Sequence, residues 1–347
     1  MDKESKTILL ENASATGMNA TDSPVAITSI NIAIALFMLV VFLVGTTVNG
    51  LLLWVLGMKI KRTVNTLWFI HLIFTYLVSA SCMPFLAVDV LLGSHWVFGT
   101  VMCKLINSFG SVGMFTTVFL LTVISLDRYL LICHPIWSQQ NRTIPRARRL
   151  LIGVWFASLA LSSPYLAFRE IRVMEKGRIE CVNNYALSSD WEGEKIQALR
   201  HHIRLALFVV RFLLAFLIPF FIIMGCYFWM GHNMKKKKLV RTGKPYRVLV
   251  ASVASFFICW LPYHLFWAAL LFGASHIIVK CLQVIFVTVV CFNFCFTPIL
   301  YLIVGEKFQQ VFKTSILALL KKGFADIIVV PEENSNISAQ DNQMDYT

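Results

Sequence analysis

Residues 205–224 read LALFVVRFLLAFLIPFFIIM, an apolar run broken by one charge, Arg211, and one proline, Pro219. A helix needs about 20 predominantly apolar residues to cross the hydrocarbon core of a bilayer, so this run is a membrane span with an arginine inside it. Working outward, comparable runs recur along the chain, and the expected spans are 28–56, 65–91, 102–131, 150–168, 203–230, 248–271 and 279–303. Several hold a proline or a polar residue near the middle, which a helix in lipid tolerates where neighbouring helices resatisfy the freed backbone groups. The runs lack the alternation of a membrane β-barrel. With 58% hydrophobic residues and 14% charged, against about 25% charged in soluble domains, the composition excludes an ordinary water-soluble enzyme and a disordered chain. Seven spans use about 140 of the residues. The remainder suffices for modest loops and tails, and the expected fold is an all-α membrane protein, a seven-transmembrane helix bundle.

The net charge of +13 is distributed in a way that gives the chain a direction. Three alternate loops hold Lys59, Lys61 and Arg62; Arg142, Arg146, Arg148 and Arg149; and Lys235, Lys236, Lys237, Lys238, Arg241, Lys244 and Arg247, with no acidic residue among them. The intervening outer loop balances its cations with Glu170, Glu175, Glu180, Asp190, Glu192 and Glu194. Lys and Arg are retained on the cytoplasmic side, so the N-terminus is expected outside and the C-terminus inside. The basic excess is thereby a topology signal, and no nucleic-acid partner is expected. Residues 1–27 form the extracellular N-terminus, with no apolar core of signal-peptide length and with Asn12-Ala-Ser and Asn19-Ala-Thr as glycosylation acceptors. Asn141-Arg-Thr and Asn336-Ile-Ser also match but fall on the inside. The bundle covers 28–303. Residues 304–324, which include EKFQQVFKTSILALLKK, space apolar residues helically between cations, as a helix lying on the inner leaflet does. A flexible cytoplasmic tail, 325–347, follows.

Of nine cysteines, Cys82, Cys133, Cys226, Cys259, Cys291 and Cys295 fall within spans or at their inner ends, where cysteine behaves as a small hydrophobe. Cys103, at the outer start of span three, and Cys181, in the long outer loop, stand in oxidising territory and are expected to pair. Cys281 is left over near the outside. No His/Cys spacing matches a zinc motif, His201-His202 fit a wet helix end, and neither metal nor cofactor is expected.

The inner end of span three carries Asp127-Arg128-Tyr129, followed by His134-Pro135. Asn49, Trp155, Pro219, Cys259-Trp260-Leu261-Pro262 and Pro298-Ile-Leu-Tyr301 stand in spans one, four, five, six and seven. In order and depth this set resembles the rhodopsin-like G-protein-coupled receptors, and the resemblance runs from about residue 27 to 324. Within them it is nearest the chemoattractant-type peptide receptors, which include the formyl-peptide and chemerin receptors. The resemblance implies a plasma-membrane receptor that passes ligand binding to a heterotrimeric G protein, of the inhibitory class, with arrestin as a further partner. It implies roles for Asp127, Arg128, Tyr129, Trp260, Pro262, Pro298 and Tyr301 in the activation switch: Arg128 is held by the adjacent anion and released to the G protein, Trp260 couples ligand to helix six, and Tyr301 swings inward. The prolines remove helix hydrogen bonds and supply kinks. No cysteine follows the surface helix to carry a palmitoyl anchor. Two positions depart from the family pattern. Tyr76 stands where members carry the Asp that binds sodium, and Thr297 where they carry Asn before the span-seven proline, so no sodium sensitivity is expected.

Arg211 lies two turns outward of Pro219, and a charge at that depth is by default a functional residue. Chemoattractant receptors often have arginine there, meeting a ligand carboxylate, a task suited to a guanidinium fork. Span three has Ser111 and Gly110 where formyl-peptide and amine receptors carry acids, so a peptide C-terminus or an acidic lipid is favoured over an amine. Asp89, Asn107, Met114, Tyr263, His264 and Gln283 are carried over by position as further ligand-binding candidates. Rival readings are a non-signalling scavenger or decoy, motivated by Tyr76 and Thr297, and a transporter, for which internal repeats and further intramembrane charges are wanting. No nucleophile–base pair, phosphate loop or metal cluster points to an enzyme.

Overall fold

The computed structural model describes residues 28–174, 177–191, 193–236, 243–304, 313–314 and 317. Its elements are α1 (Ser29–Met58), α2 (Val64–Ser81), α3 (Met83–Leu91), α4 (Gly99–Cys133), α5 (Pro135–Asn141), α6 (Ile144–Phe168), β1 (Arg169–Val173), β2 (Ile179–Asn183), α7 (Glu194–Phe212), a π-helical turn (Leu213–Leu217), α8 (Ile218–Lys236), α9 (Gly243–Leu271) and α10 (His276–Val304). Seven helical stretches are long and apolar enough to cross a membrane. The expected glycosylation sites Asn12 and Asn19 and the tail 325–347 lie outside the described residues. Of the surface helix, Lys313, Thr314 and Leu317 are described and are helical.

Local chemistry sets the helix ends. Thr28 and Thr63 precede α1 and α2 in extended conformation and accept from the backbone N–H of Asn31 and Thr66, both at 3.2 Å, satisfying donors that a helix start leaves open. Pro84 sits in the first turn of α3, and the second span is accordingly two helices meeting at Cys82. Pro145 likewise opens α6. That helix begins six residues before the apolar run, so Arg146, Arg148 and Arg149 lie on a helix and not in a loop. The fifth span differs most from expectation: helix starts at Glu194, nine residues before the apolar run, and its charged first turns extend the span beyond the about 20 residues that cross lipid. Pro219 cannot donate to the backbone one turn back, and the π turn just before it takes up the disruption.

The bundle is organised on α4, in which every residue from Ser111 to Val118 is buried. A helix enclosed on all sides needs polar groups paired with neighbours or sunk into its own backbone. Ser111 accepts from Ser162 of α6 at 3.0 Å, and Ser125 reaches Tyr227 of α8 at 3.4 Å. Across the other helices Asn49 donates to the Phe294 carbonyl of α10 at 3.1 Å, and Trp155 donates to His71 Nδ1 at 3.1 Å. A Cβ added to Gly113 would lie 2.5 Å from Ser79 Oγ and 3.9 Å from Ser79 Cβ, so the Ser79 hydroxyl of α2 fills the space beside this glycine of α4. Large apolar side chains such as Ile152, Phe156, Phe221 and Phe228 face outward, as expected where the solvent is lipid.

The outer loop between α6 and α7 carries an antiparallel hairpin, β1 on β2, with Arg169 opposite Asn183 and Val173 opposite Ile179. The Cys103–Cys181 disulfide ties β2 to the top of α4, as expected. Two further bonds fasten β2 to the first outer loop: Trp96 N–H donates to the Ile179 carbonyl at 2.8 Å, and Ile179 N–H donates to His95 Nδ1 at 3.1 Å.

Candidate functional site

Arg211 emerges at the end of α7 on the face turned into the bundle and is only 8% exposed. It does not snorkel. Its Nη1 donates to the Tyr263 hydroxyl at 2.9 Å, and the rings of Tyr165, Trp267 and Tyr263 lie 5.2, 5.5 and 5.8 Å from the guanidinium carbon. The Tyr263 and Tyr165 hydroxyls meet at 3.4 Å, so α6, α7 and α9 converge on one cation. Aromatic faces attract a desolvated guanidinium but do not neutralise it. No carboxylate bonds Arg211 among the described residues.

A second cation joins it. Arg169, the first residue of β1, stands 5.8 Å from the same Tyr165 ring, donates to the Cys181 carbonyl at 2.8 Å, and leaves its Nε buried without an acceptor. Burial pulls this guanidinium below its ordinary pKa while the phenols of Tyr165, Tyr185 and Tyr263 oppose that shift. Nearby buried donors are also unanswered: Arg204 Nε, Trp260 Nε1 and Trp267 Nε1 have no hydrogen-bond partner, and neither do the two ring nitrogens of His264, which is 2% exposed. A buried donor left without an acceptor costs about 1–3 kcal/mol. The outer bundle is therefore rich in donors and cations and poor in acceptors, the environment an anionic ligand answers.

The structure gathers some of the expected residues and disperses others. Arg211, Tyr263 and His264 form one cluster, with His264 packed against Phe216 at 5.1 Å and Phe212 at 5.5 Å. Trp260 lies beneath, 5.4 Å from Tyr263 and 5.7 Å from Phe256, so an aromatic column descends α9 from the arginine. Met114 is buried in the core. Asn107 is turned back, donating to the Cys103 carbonyl at 2.8 Å and to Cys181 Sγ at 3.4 Å. Asp89 sits at the rim within electrostatic range of Arg169, Glu180 and His95. Gln283 is exposed on α10 and has no bond to this cluster. Tyr165, Arg169, Tyr185 and Trp267 were not singled out from the sequence. Arg169 directly follows the last apolar residue of span four, a position that depth alone does not mark.

At the inner end, the Asp127 carboxylate is gripped by Arg142, Nε to Oδ1 at 2.7 Å and Nη2 to Oδ2 at 3.0 Å, and Arg142 Nη2 also donates to Asn65 Oδ1. The motif reading pairs Asp127 with its neighbour Arg128; the loop arginine Arg142 is the partner it does not name. Arg128 itself is half-buried and engaged. Tyr129 reaches His134 Nε2 at 3.4 Å. Pro262 and Pro298 lie inside α9 and α10, and Tyr301 lies on the last turn of α10. In the middle of the bundle Tyr76 is fully buried with its ring 6.3 Å from Phe294, and Thr297 donates to Asn293 Oδ1 at 3.4 Å.

Comparison with known proteins agrees with this arrangement. The chain is 45% identical over 326 residues to the "Probable G-protein coupled receptor 33" of Pan troglodytes, covering 94% of this chain and 97% of that protein. It is 34% identical over 289 residues to the "C3a anaphylatoxin chemotactic receptor" of Oncorhynchus mykiss, 82% of this chain and 77% of the relative. To the "Chemerin-like receptor 1" of Sus scrofa it is 34% identical over 304 residues, 84% and 83% of the two chains. The family described as "7 transmembrane receptor (rhodopsin family)" matches residues 48–301. This is a receptor family and not an enzyme family, and its members couple an extracellular ligand to a G protein. The chain belongs to the rhodopsin family of seven-transmembrane receptors and is of the chemoattractant-receptor type.

Proposed function

We propose that this receptor binds an extracellular ligand bearing a carboxylate, a peptide C-terminus or an acidic lipid, and passes the signal to a heterotrimeric G protein of the inhibitory class. The observation that carries the reading is Arg211: a buried cation whose bonded partner is a neutral phenol, with Arg169 beside it over a shared ring. A carboxylate placed between the two gains charge-assisted hydrogen bonds in a buried setting. The ligand acts by binding the active helix arrangement more tightly than the inactive one.

In this reading the receptor sits in the plasma membrane with residues 1–27 outside, glycosylated at Asn12 and Asn19, and with 304–324 on the inner leaflet ahead of a cytoplasmic tail at 325–347. Asp127, Arg128, Tyr129, Trp260, Pro262, Pro298 and Tyr301 form the switch, and arrestin competes for the same inner face. The basic inner loops favour an anionic leaflet.

The test is a screen of chemotactic peptides, each as free acid and as C-terminal amide, together with acidic lipids, read by G-protein dissociation with Arg128→Ala as the signalling-dead control. Free acids should act and their amides should not, and Arg211→Ala should abolish the response while surface expression persists. Equal potency of acid and amide, or an unchanged dose response in Arg211→Ala, removes Arg211 from the site. A scavenger reading is favoured by Tyr76 and Thr297, which replace a charged and an amide group in the core. Ligand uptake with no G-protein dissociation, agonist-driven or basal, would establish it.

A further inference from the structure

The register of α7 places more than one arginine on its inner face. Arg200, Arg204 and Arg211 are spaced by four and seven residues, so one helical stripe carries all three. That stripe is turned inward: Arg200 and Arg204 are half-buried and Arg211 buried, while His201, His202, Ala206, Val209 and Val210 between them are exposed. Their surroundings differ. Arg200 is a structural residue, its Nη2 donating to Asn184 Oδ1 and to the Ser188 carbonyl, both at 3.0 Å, and its guanidinium lying 3.8 Å over the Trp191 ring. Arg172 covers the same ring at 4.1 Å, so the stack latches the outer loop to the helix. Arg204 has no hydrogen bond or ion pair among the described residues, and its Nε is buried with nothing to receive its proton. The phenol of Tyr185 lies within electrostatic range of Arg204, Arg169 and Arg211 together. Of the loop's described acids, Glu170 accepts from Asn184 and Glu180 pairs with Arg178.

We propose that Arg204 is a second anion site, which takes an acidic side chain of a peptide whose C-terminal carboxylate occupies Arg211. The proposal rests on the reading of Arg211 given above and narrows its ligand class. Seven residues of helix rise about 10 Å, and an extended peptide advances about 3.3 Å per residue, so the acidic side chain belongs at the third or fourth residue from the C-terminus. A fatty acid has one carboxylate and leaves Arg204 unanswered. A peptide with an internal Asp or Glu answers both cations. The competing occupant is a lipid headgroup, which a snorkelling arginine would meet on the outward side of α7; the inward stripe and the neighbouring Tyr185 place Arg204 on the other side.

The experiment uses the full chain in nanodiscs and a family of acetylated hexapeptides of Leu and Phe with a free C-terminus, into which one Glu or one Gln is walked from the second to the sixth residue from the end, each also made as the amide. Affinity is read by displacement of a fluorescent member of the set. In the wild type, Glu at the third or fourth position should bind at least tenfold more tightly than Gln there. Arg204→Gln should bring that ratio to one, Arg204→Lys should retain most of it, and Arg204→Glu should favour Lys over Gln at the same position. A flat Glu-to-Gln ratio at every position, or a ratio that Arg204→Gln leaves intact, overturns the second site. A ratio that depends on anionic lipid in the nanodisc and not on the peptide assigns Arg204 to headgroups and also overturns it. If acids and amides bind alike, the Arg211 reading fails; if acids are preferred while the walk is flat, the second site alone fails. Absence of binding by every peptide up to millimolar concentration counts against both.

Discussion

The Arg211 guanidinium donates a 2.9 Å hydrogen bond to the phenol of Tyr263, joining the end of α7 to the middle of α9. This bond is a direct tie between the two helices at the depth of the proposed ligand site. The aromatic column from Tyr263 through Trp260 to Phe256 continues inward from it. In the proposed reading, an anion that takes the guanidinium competes with the phenol, so ligand binding and release of the tie are one event. Ligand chemistry is thereby linked to helix arrangement without a separate relay.

Tyr263→Phe tests that link. The ring contacts remain and only the hydroxyl goes, leaving a buried charged donor short of an acceptor at a cost of about 1–3 kcal/mol. The variant should melt lower in detergent and show basal G-protein dissociation several-fold above wild type. Basal signalling equal to wild type at equal surface expression would show that the bond does not restrain the receptor.

The centre of the bundle predicts indifference to sodium. Tyr76 is fully buried against Phe294, and Thr297 and Ser255 both donate to Asn293 Oδ1. These groups offer neutral oxygens, and a hard cation in a dry core needs a carboxylate to offset its lost hydration. Agonist affinity of the purified receptor should be the same in sodium chloride and in N-methylglucamine chloride. A shift of threefold or more on adding sodium would mean that a charged group not seen at this depth is present.

Gly113→Ala should lower stability modestly, by about 1 kcal/mol, because the added methyl would meet Ser79 Oγ at 2.5 Å and that hydroxyl would have to turn aside. Gly153→Ala serves as the control, since a Cβ there meets nothing within 4 Å. A thermal midpoint lowered only in the first variant confirms the close approach; equal midpoints would show that Ser79 rotates aside freely.

The bundle was legible in the sequence because lipid imposes a simple rule, long apolar runs, and because Arg211 violates that rule at mid-run. The Cys103–Cys181 bond followed from the expected topology, which sets those two thiols on the oxidising side. The extension of α7 ahead of the apolar run was not legible, because Glu194, Lys195 and Arg200 read as loop charges when hydropathy is the signal; helical register, not hydropathy, shows that Arg200, Arg204 and Arg211 share a face. Arg169 was missed because its place is set by the hairpin it begins and by its contacts with the Cys181 carbonyl and the Tyr165 ring, tertiary effects with no local signature. Positional carry-over brought Tyr263 and His264, on a regular helix one and two residues past Pro262, beside Arg211. It did not bring Gln283 or Asn107 to Arg211, because the first faces outward and the second is held by the disulfide region.

Arg142 offers the last prediction. Its two-pronged grip on Asp127 and its bond to Asn65 bind the loop between α4 and α6 to the ends of α2 and α4, the proposed G-protein surface. Asp127 and Arg142 are 10% and 20% exposed, so the pair is screened less than a surface bridge but is not dry. Removing the arginine leaves a half-buried carboxylate with fewer donors and frees the loop, at a cost of about 1–2 kcal/mol. If the grip belongs to the resting arrangement, Arg142→Ala should raise basal G-protein dissociation by about tenfold or less, the factor that about 1.4 kcal/mol allows. Arg142→Lys, which keeps the charge but loses the fork, should fall between. Asp127→Asn should reproduce the effect, and the double variant should add nothing further, because both changes open the same contact. Additive effects in the double variant would show instead that Asp127 restrains signalling through a different partner.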